Sequence, residues 1–98
     1  MELAEESAND NDTREVRVVA SAVSVKRTIA AEVGDNGCVV GVRFLSDAFR
    51  KWDSYTLGER VVKVADVAHD RYLSIQPNRD GHYPERGEVS ARERKLIF

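Results

Sequence analysis

Gly34-Asp35-Asn36-Gly37 constrains this chain more than any other stretch, because it forces a reversal between two apolar, β-branched runs. Asn-Gly accepts the positive φ angles of a tight hairpin, so alternation on both sides of it reads as two antiparallel strands. Upstream, Val23, Val25, Ile29, Ala31 and Val33 alternate with Ser24, Lys26, Thr28, Ala30 and Glu32, and Arg27 alone breaks the apolar side. Downstream, a strand over 38–45 puts Val40, Val42 and Phe44 on one face, its better core face. Val39, Gly41, Arg43 and Leu45 take the other face, where Gly41 leaves room for another element to approach.

Strand character begins earlier, at Arg14, with Val16 and Val18 alternating against Glu15 and Arg17. From there the chain either turns near Ala20–Ser24, where no Gly or Pro marks the place, or continues as one bent strand. Alternation of this kind belongs to antiparallel sheets with one wet face.

The period then changes. Ser46 and Asp47 offer cap oxygens for a short helical turn through Arg50, and Thr56-Leu57-Gly58-Glu59 reads as a capping box. Leu57, Val61, Val64, Ala65, Ala68, Tyr72 and Ile75 recur at helical spacing and predict an amphipathic helix over 56–76, which Pro77 stops. Residues 77–87 are loop-like, Ser90 and Glu93 can cap one last helical turn, and the chain closes on Leu96, Ile97 and Phe98. That apolar end either docks on the core or meets another chain. The pattern as a whole predicts an α+β domain over 14–76, a three-stranded antiparallel sheet followed by an amphipathic helix, with 77–98 as an extension.

Ahead of the domain, residues 1–13 are polar, acidic and without periodicity, and read as a disordered tail. They hold five acids (Glu2, Glu5, Glu6, Asp10 and Asp12) and no Lys or Arg, which leaves 12 acids against 15 bases, a charge of +3, for residues 14–98. Such a body is compatible with nucleic acid but much less basic than a strong DNA binder. With 98 residues in all, a thin core is expected and a homodimer would support it. There is neither an apolar run long enough to span a membrane nor a signal-peptide pattern, so a cytoplasmic protein is expected.

Little in the chain reads as catalytic machinery. Cys38, the single cysteine, opens an apolar strand and reads as a buried structural thiol. Asp66, His69 and Asp70 share neighbouring helical positions, but no second ligand cluster accompanies them and His82 lies far off in sequence. No enzyme, metal or cofactor is expected.

The cations remain. Arg14, Arg17, Lys26 and Arg27 fall on the early strands, Arg50 and Lys51 stand beside Trp52, and Arg92, Arg94 and Lys95 lie near the end. Groups of this kind either form a solvated surface or neutralise phosphates without reading bases. Trp52 and Tyr55 either stack on bases or cover the core where strand gives way to helix, the role also expected of Phe49.

The stretch from Ile29 to Leu73 resembles the YbaB/EbfC family of nucleoid-associated proteins, particularly its divergent actinobacterial members. The residues that carry the resemblance are the turn GDNG, the strand and corner VVGVRFLSDAFR, and the Leu-Gly helix opening TLGERVVKVADVAHDR. The resemblance implies a homodimer whose sheet and helix form the shared core, and which binds DNA with little sequence preference within the nucleoid. It assigns DNA contact to the cations named above. The alternative is a protein-interaction module, a secretion accessory or regulator, with Leu96, Ile97 and Phe98 as the partner contact. The family's long first helix has no counterpart in residues 1–13, so the resemblance bears more on fold than on function.

Overall fold

The computed structural model describes residues 16–77 and 83–98. Arg14, His82 and the acidic segment 1–13 lie outside the described residues. The described chain forms β1 (Val18–Val23), β2 (Ile29–Gly34), β3 (Val39–Phe44), a 3-10 turn (Asp47–Lys51), α1 (Ser54–Ser74) and α2 (Arg86–Glu93). The three strands make one antiparallel sheet in the order β1-β2-β3, with the α+β architecture that the two periodicities predict.

The first reversal lies further along than expected, at Ser24–Thr28, inside the run that alternation assigns to the second strand. Side chains replace the missing Gly and Pro. The buried Ser24 Oγ accepts the amides of Thr28 at 3.0 Å and Ile29 at 3.2 Å, and shares a 2.9 Å hydrogen bond with Thr28 Oγ1. Arg27 supplies the left-handed residue, at φ 57°. Alternation cannot show such a turn, because Ser24 and Thr28 occupy the same parity as outward strand residues.

The second reversal falls where GDNG puts it, with one difference. Only Gly37 has positive φ, at 83°, and its amide donates to Gly34 O at 2.9 Å. Cys38 belongs to this turn, with its amide on Asn36 Oδ1 at 3.1 Å, and it is exposed rather than buried. The turn keeps its side chain above the sheet's end, clear of the core.

A third correction concerns where α1 begins. Asp53, not Thr56, caps it: Asp53 Oδ1 accepts the Thr56 amide at 2.7 Å, which makes Thr56 the third residue of the helix. The contact holds the Asp53 carboxyl below its ordinary value, through the Thr56 backbone and hydroxyl hydrogen bonds ahead of any charge effect. Before it, the short turn forms as predicted, with Ser46 Oγ accepting the Ala48 amide at 3.3 Å.

α1 lies across β1 and β2 and buries Val64, Val67 and Ala68 against Ile29, Ala31, Val33, Ala20 and Ala22. The last helix starts at Arg86, a full turn before the expected cap at Ser90, and brings a wholly buried Val89 into the same core, where Leu96 joins it. Burying one Val or Leu side chain is worth about 1.5–3 kcal/mol, so the C-terminal segment contributes materially to a small core.

The expected core face of β3 is not covered. Val42 and Phe44 pair with Ala31 and Ile29 and so share their face, yet they are 36% and 43% exposed, and Val40 is exposed too. The parity is right, but the helix sits over the other two strands. Val39 and Leu45 are exposed as well, so β3 is an apolar edge strand open on both faces.

Candidate functional site

The end of the sheet that carries the β1–β2 turn also receives the chain's C-terminus. The Val25 amide donates to Leu96 O at 2.7 Å and the Lys26 amide to Phe98 O at 3.0 Å, so the last residues run beside the turn. Of the expected partner-contact residues, Leu96 is therefore core and Phe98 packs against it, while Ile97 faces outward at 72% exposure.

Lys26 and Arg27 stand exposed at the turn tip, and Arg27 and Arg94 line one hollow together with Val23 and Ser24. Around the next corner, Lys95 and Arg92 line a second hollow with Lys63 and Asp66. Backbone pairing thus brings Lys26, Arg27, Arg94 and Lys95 to one end of the fold. The other expected cations do not join them equally. Arg92 is ion-paired with Asp70. Arg50 lies 3.7 Å from Asp47 and 5.7 Å from the Phe49 ring centroid. Lys51 is exposed in the 3-10 turn. Arg17 is at the opposite end of β1, where its carbonyl accepts the Asp35 amide at 2.8 Å.

The aromatics divide. Trp52 is half-buried against the core and meets the Phe98 ring edge-on at 6.1 Å between centroids, and Phe49 packs on Phe44 at 4.7 Å. Both serve the corner. Tyr55, by contrast, is 79% exposed.

Two arginines escaped the sequence reading. Arg60 spans the Trp52 and Phe98 rings, its guanidinium carbon 4.4 and 4.9 Å from their centroids, and so pins the C-terminus to α1. Arg71 donates to Ser21 O at 2.7 Å and to Glu93 Oε1 at 2.9 Å, joining β1, α1 and α2. Arg71 had a signal: it stands seven residues after Val64 and three after Ala68, a cation on the apolar flank of the helix. Arg60 carries the same signal, four residues before Val64 and seven before Val67.

His69 stacks on Tyr72 at 6.1 Å, with Asp70 engaged by Arg92. No group of three metal-ligating side chains occurs among the described residues, and none of their helices is long and apolar enough to cross a membrane. No family model, curated protein or solved structure matches this chain.

Proposed function

We propose that this chain acts by binding rather than catalysis, as a homodimer that contacts DNA phosphates with little sequence preference in the nucleoid. The observation that carries the reading is the gathering of Lys26, Arg27, Arg94 and Lys95 at one end of the fold, from positions 67 to 69 residues apart in sequence. Arg27 adds to it. A long cation occupies a left-handed position that Gly or Asn would fill with less strain, and strain at an exposed tip is a mark of use. Four exposed cations suit weak, salt-sensitive contact with a backbone and supply no base readout.

The test is duplex retention at rising salt. Each cation that displaces a counterion contributes about 0.9 to the slope of log affinity against log salt. Replacing the four with Ala is expected to flatten that slope by about 3.6, with Arg17→Ala leaving it nearly unchanged. A duplex left unshifted at low salt by the intact protein rules the reading out.

A second reading, a protein-interaction module, is favoured by Ile97, which stands exposed between two residues docked on the core. Ile97→Asp separates the two: under the second reading it abolishes partner capture by a chain that holds no duplex, and under the first it leaves duplex retention intact. Truncating the C-terminus would not separate them, because Leu96 is part of the core.

A further inference from the structure

We infer that the open edge of β3 pairs antiparallel with β3 of a second copy, centred on Val42 facing Val42, to make a six-stranded sheet. This rests on the homodimer reading above and specifies its interface.

Main-chain groups come first. The Leu45 amide donates to Thr28 O at 2.9 Å, and Arg43 and Gly41 follow at the alternate, hydrogen-bonded positions opposite Ala30 and Glu32. The N–H and C=O of Val42 and Phe44 therefore point away from β2, along an edge with no fourth strand among the described residues. A strand so exposed, with apolar side chains on both faces, is a template for another strand.

Self-pairing restricts the register. A two-fold axis perpendicular to the sheet keeps both copies of α1 on one face, and it requires one residue of β3 to face its own copy. Centring on Arg43 sets like charges directly opposite each other. Centring on Val42 sets Val40 against the partner's Phe44 and Gly41 against the partner's Arg43.

The last pairing is what singles out this register. Glu32 leans over Gly41: a β-carbon there would lie 3.2 Å from Glu32 Oε1. Oε2 of the same carboxylate already accepts Arg43 of its own chain at 2.9 Å. The gap left by Gly41 thus opens onto Glu32 Oε1, and in this register the partner's Arg43 enters it. The exchange is reciprocal, giving two Glu32 carboxylates each held between two guanidinium groups. Centring on Gly41 moves Arg43 opposite the partner's Val39 and forfeits both contacts.

α1 adds apolar surface beside the edge. Tyr72 packs on Gly37, just before β3, which turns that flank of the helix toward β3. Val61 and Ala65, both half-buried, precede it by eleven and seven residues, near-whole helical turns, and share that flank. In the pair, the two flanks face each other above Val42 and Phe44.

Cysteine cross-linking of the full chain reads the register directly, in a Cys38→Ser background. Cα atoms of a hydrogen-bonded pair lie about 5.5 Å apart, within disulfide range, so Val42→Cys is expected to cross-link with itself under mild oxidation. Val40→Cys and Phe44→Cys, each displaced about 14 Å along the strand from its own copy at 3.4 Å per residue, should cross-link only when mixed with each other. Sedimentation should show a concentration-dependent dimer that Arg43→Glu weakens by roughly tenfold or more and that the Glu32→Arg, Arg43→Glu exchange restores. A chain that stays monomeric throughout, or equal cross-linking at positions 40, 42 and 44, overturns the inference. A dimer with the expected cross-links but no duplex retention defeats the DNA reading alone.

Discussion

Arg71 and Glu93 share a 2.9 Å ion pair in which both side chains are about three-quarters covered, and the pair ties three elements together. The other oxygen of Glu93 accepts the Val23 amide at 2.9 Å, while Arg71 also reaches Ser21 O. One carboxylate and one guanidinium thus join the end of β1 to both helices. Replacing Arg71 with Ala leaves a three-quarters-covered carboxylate and one main-chain carbonyl, Ser21 O, without their partner. Hydrogen bonds to charged groups are worth about 1.5–3 kcal/mol, so chemical denaturation should show a loss of about 2 kcal/mol. Arg71→Lys keeps the charge but not the fork, and should recover only part of the loss.

The same pair sets an acid limit. Burial pushes the Glu93 carboxyl up, but the Arg71 hydrogen bond, the Val23 amide and the Arg71 charge outweigh it and hold the group below its ordinary 4.5. A carboxyl depressed in the folded state stabilises fully above its unfolded value, and that contribution disappears as pH falls through the folded one. Stability should therefore decline from about pH 4.5 downward. Glu93→Gln, which does not titrate, should start less stable at pH 7 and lose less on acidification. A pH series of urea midpoints on both proteins checks the sign.

The β1–β2 turn depends on Ser24 in a way that its exposed-looking neighbours hide. Its Oγ is the acceptor for two buried amides, and Ser24→Ala leaves Thr28 N–H without an acceptor. A buried donor left unmade costs about 1–3 kcal/mol, so the urea midpoint should fall with the m value unchanged. Ser24→Thr retains the oxygen but adds a methyl in a buried site, and should lie between the two.

These residues also show what was legible in the sequence and what was not. The strand-turn-strand around Gly37 and the helical period from Leu57 to Tyr72 were plain, because glycine chemistry and side-chain spacing are local. The parity of Val42 and Phe44 was legible for the same reason. Their exposure was not, since it depends on which strands α1 crosses, a packing choice that periodicity does not encode. The Ser24 turn is local but hidden, because Ser24 and Thr28 keep the parity of outward strand residues, whereas the Arg71 clamp and the Arg60–Phe98 contact join partners distant in the chain, which leave no pattern. The cations at 26, 27, 94 and 95 were each visible, but their convergence depends on Leu96 and Phe98 pairing with Val25 and Lys26.

The two hairpins make the sharpest test, because each has one left-handed residue of opposite kind. Gly37, at φ 83°, has no side chain to clash, and the Tyr72 ring lies 3.2 Å from the point where a β-carbon would stand. Gly37→Ala must bear both the backbone strain, about 1–2 kcal/mol, and a displaced ring. Arg27, at φ 57°, bears such strain already. Arg27→Gly relieves it at the cost of a more flexible unfolded chain, so the net effect should be near zero or slightly stabilising. Thermal midpoints should therefore move apart, down by several degrees for Gly37→Ala and level or up for Arg27→Gly. If Arg27 is kept for phosphate contact, the variant that folds no worse should nevertheless hold a duplex less tightly at low salt, with a salt slope lower by about 0.9.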